Sequence, residues 1–257
     1  MDLQLKGHTA LVTGGSRGIG FGVAQALAAE DCNLHLASRN AADLETARSK
    51  ITAAHPVKVT CHALDLGLAE NADRLARECG EIDILINNAG AIPQGGITDF
   101  DDQTWRAGWE LKMFGYINLT REVYRGMCAR RRGVIINVIG GAGERPTAGY
   151  IAGSIANSGL MTMSRALGAE SPKFGVRVLG LNPSATATDR GVVRWRNQAQ
   201  KELGDAERWQ ELTKGFPFGR PASVEEVANV IVFLASERAS YMSGTVVSVD
   251  GGAAWRK

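Results

Sequence analysis

Short apolar runs rich in β-branched residues alternate along the chain with longer segments whose apolar residues recur every three or four positions. Strands that are apolar on both faces and are separated by helices are typical of a parallel sheet covered on both sides. The pattern therefore predicts an α/β fold, with one doubly wound parallel sheet of about seven strands and helices on both faces. The predicted strands are residues 9–13, 33–37, 57–64, 82–87, 134–138, 176–181 and 245–249.

The helical segments carry their own signals. Ser223 followed by Glu226 forms a capping box, and the apolar residues after it fall on one face of a helix. Residues 23–29 predict a helix after a glycine-rich loop, and residues 101–127 and 149–172 predict two long, largely apolar helices. Such helices require burial on more than one side, either by the sheet together with a subunit interface or by a deep core.

Composition narrows the class of protein. Hydrophobic residues make up 44% and charged residues 22% of the 257, which excludes disordered and fibrous proteins and predicts one domain over residues 1–257. The 29 basic and 27 acidic residues give a net charge of +2, too little to indicate a nucleic-acid partner. No segment has the apolar length of a signal peptide or a membrane span, so we expect a cytoplasmic protein with no membrane partner.

Cysteine and histidine are both sparse. The four cysteines and four histidines are scattered, without the spacing of metal ligands or of a disulfide framework. The spacing predicts neither a metal site nor a network of disulfides.

A glycine-rich loop follows the first predicted strand and opens a helix. In that position, glycines permit a tight turn and bring a dinucleotide's pyrophosphate close to the helix N-terminus. The alternative is a glycine-rich turn without a ligand. The candidate cofactor-binding residues of this loop are Gly14, Ser16, Arg17, Gly18, Ile19 and Gly20.

The end of the second strand indicates which dinucleotide binds. An NAD-preferring site carries an acidic residue there for the ribose hydroxyls, whereas this chain has Ser38 and Arg39. Arg39 and Arg17 are suited to clamp a 2′-phosphate through charge-assisted hydrogen bonds, which favours NADP(H) over NAD(H). Alternatively, Arg39 stacks on the adenine ring and selectivity is weak.

Further motifs resemble the short-chain dehydrogenase/reductase family nearly end to end. They are the TGGSRGIG loop, Asp65-Leu66, the NNAG turn at 87–90, the segment 183–188 and the ending SVDGG at 248–252. The resemblance implies a Rossmann-like fold, a homotetramer or homodimer, and a lid segment over the substrate, residues 189–221. It also implies that the cofactor is bound by Asp65, Leu66, Asn88, Ala89, Gly90, Pro183, Thr186 and Thr188.

The resemblance is weaker at the catalytic positions. Family members use a tyrosine, a lysine four residues later, an upstream serine and an asparagine on an earlier helix. Tyr150 matches the tyrosine, with a packed interface residue as the alternative. The other three positions carry Ser154, Gly140 and Lys112, and Ser154 retains a hydroxyl for a ribose contact.

Lys112 is the candidate replacement for the lost charge. It shares a helical stripe with small and apolar residues, so we hypothesise that its ammonium lowers the pKa of Tyr150 and hydrogen-bonds the ribose or a water. The alternatives are that Lys112 reaches solvent or pairs with Glu110 or Asp189.

Together these residues predict an NADP(H)-dependent oxidoreductase that transfers a hydride between nicotinamide and a small carbonyl or alcohol substrate. Tyr150 and Lys112 are the catalytic candidates, and carbonyl reduction is the favoured direction because it uses a protonated tyrosine. Two alternatives stay open: an NADP(H)-binding sensor, scaffold or partner subunit without redox turnover, and a non-redox lyase. The basic and aromatic residues of the lid segment either suit an anionic or ring-containing substrate or simply pack the lid.

Overall fold

The computed structural model describes residues 1–256. Seven parallel strands form one sheet in the order β3-β2-β1-β4-β5-β6-β7. They are β1 (Thr9–Thr13), β2 (Asn33–Ser38), β3 (Val59–Ala63), β4 (Ile84–Asn87), β5 (Gly133–Val138), β6 (Val176–Pro183) and β7 (Val246–Val249). The predicted doubly wound α/β fold is confirmed, and no predicted strand end differs from the observed one by more than two residues.

Helices cover both faces of the sheet. They are α1 (Gly18–Ala29), α2 (Ala41–Ala54), α3 (Ala69–Cys79), α4 (Asp102–Trp109), α5 (Gly115–Arg130), α6 (Ile151–Glu170), α7 (Asp189–Leu203), α8 (Trp209–Thr213) and α9 (Val224–Ala235). Successive residues of β1 point to opposite faces: Val12 packs with α1, α2 and α9, whereas Leu11 packs with α3 and α5. Both side chains are fully buried, which is why the strands are apolar throughout.

The capping box of α9 forms as predicted. The Ser223 hydroxyl accepts a hydrogen bond from the Glu226 N–H at 3.1 Å, and the Glu226 carboxylate accepts one from the Ser223 N–H at 2.7 Å. Two N–H groups that the helix cannot pair internally are thereby satisfied.

The single helix predicted over residues 101–127 is wrong. The segment divides into α4, a π-helical turn at Glu110–Phe114, and α5. At the start of α5 the backbone lies close to the segment that follows β3, since a Cβ atom on Gly115 would come within 2.8 Å of the Leu66 carbonyl oxygen. A π-helical turn inserts an extra residue and often occurs at functional sites.

The lid segment is helical and has its own aromatic core. Trp195 on α7 is 3% exposed and stacks on Trp209, with ring centroids 5.7 Å apart, while Phe216 meets Trp195 edge-on. These tryptophans pack the lid, as one of the two interpretations of the sequence expected. Among residues 1–256, no helix combines the length and apolar character that a membrane span requires.

Candidate functional site

The glycine loop and the NNAG turn meet at the carboxyl ends of β1 and β4. Asn88 donates to the Thr13 carbonyl at 3.0 Å, and the Thr13 hydroxyl accepts from the Asn88 and Ala89 N–H groups. Gly14 has a φ of 64°, and a Cβ atom there would lie 2.9 Å from the Asn88 amide nitrogen. Only glycine suits this position, because the conformation is left-handed and the neighbouring turn is close.

The N-terminus of α1 opens into a cleft of about 640 Å³, which we call the inner cleft. Arg17 is the N-cap residue, and no side chain caps the helix. The first N–H groups of α1 are therefore available to an anion, where the helix dipole also favours negative charge. This arrangement fits a dinucleotide pyrophosphate. Other predicted residues that line the inner cleft are Gly14, Gly18, Ile19, Asn88, Ala89, Gly90, Pro183 and Thr188.

Two arginines lie beside the glycine loop and the carboxyl end of β2. Arg17 pairs with Asp43 at 2.6 Å, and Arg39 lies 3.9 Å from Asp65; each arginine side chain is 69% exposed. Exposed ion pairs of this kind contribute only about 0–1 kcal/mol, so a doubly charged phosphate can compete for both guanidinium groups. Ser16 donates to Ser38 at 3.2 Å between the glycine loop and the end of β2.

Several predicted residues have other contacts in the structure. Leu66 is 5% exposed and packs in the core beneath α5, and Thr186 donates to the Ser184 carbonyl. Ser154 is 3% exposed, and its hydroxyl accepts from the Thr147 N–H at 3.3 Å rather than lining a cleft. Their roles in cofactor binding stay predictions.

Lys112 lies in the π-helical turn, at the border of the inner cleft and a second cleft of about 950 Å³ beneath α7, the lid cleft. Its Nζ donates to the Ile139 carbonyl oxygen at 2.5 Å, just beyond β5. The aliphatic stem passes over Gly90, where a Cβ atom would come within 2.9 Å of Lys112 Cδ. Burial lowers the pKa of Lys112 from 10.5 to about 8.

Tyr150 lines the lid cleft at the start of α6. Its ring folds back over Gly153, where a Cβ atom would overlap with the ring. Burial raises the pKa of the phenol, and the positive charge of Arg190 lowers it in part.

Burial raises the pKa of Tyr150 and Arg190 is the cation that lowers it in part, so the effect of Lys112 on this pKa stays a prediction. The Lys112 ammonium bonds a main-chain carbonyl, an arrangement that matches neither the solvent-exposed nor the ion-paired alternative. Arg190 was predicted only as a lid residue. The signal that would have indicated its position is the N-cap residue Thr188 of α7, which places Arg190 in the first helical turn.

Gly140 is the residue that the sequence motifs predict at the family's serine position. Its φ of 125° lies in a region that side chains other than hydrogen rarely permit. Its N–H donates to Asn182 and its carbonyl accepts from Asn157, both at 3.2 Å. The backbone here is built around glycine, with two buried asparagines holding its peptide groups.

The chain is similar to known proteins over most of its length. The family model for short chain dehydrogenase matches residues 8–199. The chain is 31% identical to the 3-oxoacyl-[acyl-carrier-protein] reductase FabG of Chlamydia muridarum, over 99% of this chain and 100% of that protein. It is 33% identical to the NADPH-dependent reductase BacG of Bacillus subtilis, over 95% of this chain and 97% of that protein.

Solved structures agree with the sequence comparisons. L-sorbose reductase from Gluconobacter frateurii, in complex with NADPH and L-sorbose, superposes with a TM-score of 0.94 at 31% identity, covering 100% of both chains. The sheet order, the glycine loop and these end-to-end matches lead to one conclusion: the chain belongs to the short chain dehydrogenase family.

Proposed function

We propose that this protein is an NADPH-dependent reductase of small, polar carbonyl compounds. The observation that carries the proposal is the meeting of the inner cleft and the lid cleft at Lys112 and Arg190, with Tyr150 lining the second cleft. The uncapped N-terminus of α1 would hold the pyrophosphate, and Arg17 and Arg39 would hold the 2′-phosphate. When bound, NADPH supplies the hydride that reduces the carbonyl carbon.

The state of Tyr150 favours reduction over alcohol oxidation. Burial raises the pKa of its phenol, so the hydroxyl stays protonated at neutral pH and can donate its proton to the carbonyl oxygen. Alcohol oxidation requires the phenolate, which is the form that burial disfavours. Arg190 faces the phenolate that remains after proton donation and stabilises it.

We further propose that the active site departs from the usual family arrangement. Lys112 takes the place of the family asparagine, and its ammonium has three donors, one of which binds the Ile139 carbonyl. The remaining donors are available in the cleft for a ribose hydroxyl, a water or the carbonyl oxygen. A positive charge is thereby kept at the reaction centre, although residue 154 is serine rather than lysine.

The lid cleft indicates a polar substrate. Its lining includes hydrogen-bonding and basic side chains, namely Gln94, Arg190, Arg194, Asn197, Gln198 and Lys201. The L-sorbose reductase that superposes on this chain acts on a polyhydroxylated ketone. Ketoses are therefore the first substrates to test, followed by β-keto esters and keto acids.

The test follows the absorbance of NADPH during turnover with this panel. We expect ketone-dependent oxidation of NADPH, and a loss of about 10²–10⁴-fold in kcat for Tyr150→Phe. The matched control is Tyr241→Phe, because Tyr241 is fully exposed and lines neither cleft. NADPH binding without turnover of any substrate would contradict the reductase and favour a cofactor-binding protein.

Cofactor preference is tested separately. The variant carrying Arg17→Ala and Arg39→Ala is expected to lose about 10–100-fold more affinity for NADPH than for NADH, since hydrogen bonds to charged groups contribute about 1.5–3 kcal/mol. Arg121→Ala with Arg125→Ala removes the same charge from the exposed surface of α5 and serves as the control. Equal losses for both cofactors would refute the 2′-phosphate clamp.

We also propose a cytoplasmic homo-oligomer, a dimer or tetramer. Phe114 beside α5 and Ile155 on α6 are 41% and 45% exposed and are apolar side chains that a partner subunit would cover. The four cysteines are free thiols, the form that a reducing compartment maintains. Light scattering of the purified protein tests the oligomer: a monomer at micromolar concentration would contradict it.

A further inference from the structure

Three side chains with metal-ligating atoms converge away from the reaction centre. His35 lies on β2, His62 on β3 and Cys79 at the end of α3. Ala37 pairs with His62 and His35 with Thr60 in the register of β2 and β3, so the two histidines are diagonal neighbours on the face covered by α3. One ligand atom from each of the three residues lies within 4.8 Å of the others.

The distances approach those of a metal centre. His35 Nδ1 lies 2.8 Å from His62 Nε2, and Cys79 Sγ lies 3.7 Å from the same nitrogen. Tetrahedral zinc with ordinary bond lengths separates two nitrogens by about 3.3 Å and a nitrogen and a sulfur by about 3.5 Å. The two ring centroids are 5.1 Å apart at an interplanar angle of 21°, and the nitrogens would have to separate by about 0.5 Å to bind the ion together.

A carboxylate stands behind one of the candidate ligands. His62 Nδ1 lies 3.0 Å from Glu78 Oε2, and the other Glu78 oxygen accepts from Arg74 at 2.7 Å. A carboxylate that accepts the second ring N–H of a histidine orients the ring and leaves Nε2 as the atom with a free lone pair. This is the arrangement that metal-binding histidines ordinarily show.

We propose that His35, His62 and Cys79 form a binding site for a borderline or soft divalent cation of the zinc class. Two imidazole nitrogens and a thiolate suit such a cation better than calcium or magnesium, which take oxygen ligands. Binding breaks the Cys79 S–H bond, with the proton going to solvent, and forms the metal–sulfur bond. The His35 ring proton, which lies between His35 Nδ1 and His62 Nε2 without the cation, moves to His35 Nε2 and keeps the ring neutral. A water completes the fourth position through the partly exposed side of His35.

The cation would join the two strands whose ends carry Arg39 and Asp65. Linear spacing could not indicate this site, since the three residues come from separate elements and lie far apart along the chain. The expected role is structural. Binding would therefore raise the melting temperature and would leave the chemistry at Tyr150 unchanged.

The test is a titration of the full chain, stripped of metals by a chelator, with Co²⁺ followed by Zn²⁺. We expect one equivalent of Co²⁺ to give a thiolate-to-cobalt charge-transfer band, which Zn²⁺ then removes. Cys79→Ser is expected to abolish the band, whereas Cys61→Ser retains it because Cys61 packs on the opposite face of the sheet. Absence of the band in the natural chain, or its persistence in Cys79→Ser, would overturn the proposal.

A milder variant covers the case in which Cys79→Ser does not fold. Glu78 is exposed, so Glu78→Gln is expected to fold normally while weakening Zn²⁺ affinity by about 10–100-fold. Calorimetry measures that affinity, and circular dichroism verifies the fold. Unchanged affinity in Glu78→Gln would show that the Glu78–His62 contact is only a hydrogen-bonded surface pair and would count against the site.

Discussion

Replacing Lys112 by methionine separates the functional value of its charge from its cost to stability. The side chain keeps its aliphatic stem over Gly90 and loses only the ammonium that donates to the Ile139 carbonyl. The natural chain buries a cation there, as the pKa of about 8 indicates. We therefore expect Lys112→Met to be more stable than the natural protein at pH 7 and slower in turnover.

The magnitude follows from the pKa. A fall from 10.5 to about 8 corresponds to about 3 kcal/mol of disfavoured charge at neutral pH. Loss of the hydrogen bond to Ile139 costs about 1 kcal/mol. The expected net gain in the free energy of unfolding for Lys112→Met is about 2 kcal/mol at pH 7.

The pH dependence gives a second signature. Between pH 8 and 10.5 the unfolded chain still holds the proton of Lys112 while the folded chain has released it. The unfolded state then binds more protons, so the stability contribution of Lys112 becomes more favourable as pH rises through this window. The advantage of Lys112→Met should shrink over the same range and be lost above it.

Urea unfolding of the natural protein and of Lys112→Met at pH 7 and at about pH 10 measures both effects. Lys214→Met, at an exposed position of the lid segment, is the control and should differ little from the natural protein at either pH. Lower stability of Lys112→Met at pH 7, or a difference that does not change with pH, would refute the argument that the ammonium is desolvated. Unchanged turnover and NADPH affinity would refute its role in the site.

Three further substitutions test single features. Gly153→Ala should displace the Tyr150 ring, because the added Cβ overlaps with that ring. The variant should have a kcat about a hundredfold lower and an unchanged melting temperature. Normal turnover would contradict the observed ring position. Gly140→Ser should lower the free energy of unfolding by about 1–3 kcal/mol in urea titrations, since the φ of Gly140 is 125°. A variant as stable as the natural protein would show that a side chain does not strain this backbone. Ser223→Ala should cost about 1 kcal/mol in the same assay and leave kcat unchanged, because it removes only the α9 cap; a change in kcat would show that α9 acts on the site.

The sheet and its cofactor end were predictable from the sequence because local rules determine them. A parallel strand buried on both faces must be apolar throughout, so its ends appear where polar or glycine residues begin. The helix after the glycine loop and the basic residue after β2 follow directly from positions in the chain. The π-helical turn was missed because apolar periodicity within 101–127 does not record where one extra residue is inserted.

The reaction end was less predictable because its geometry depends on particular side-chain contacts, both between distant segments and within one segment. A lysine on an apolar stripe must be directed somewhere, but the Ile139 carbonyl that receives it lies 27 residues away. Likewise, the position of the Tyr150 ring depends on the absence of a side chain at Gly153, and Ser154 is turned toward the Thr147 N–H. Such choices are made by tertiary packing, which single-residue patterns do not encode.

Two of the positions predicted to differ from the family pattern, Lys112 and Gly140, are neighbours in space. Lys112 bonds the carbonyl of Ile139, the next residue is Gly140, and the Gly140 carbonyl accepts from Asn157 on the helix that begins beside Tyr150. In a protein that no longer needs catalysis, catalytic residues would be substituted independently, at positions unrelated in space. A buried cation would be among the first groups replaced, because it reduces stability. A buried cation that is retained at this cost, and that binds the carbonyl next to Gly140, supports the proposed reorganised active site over an inactive one.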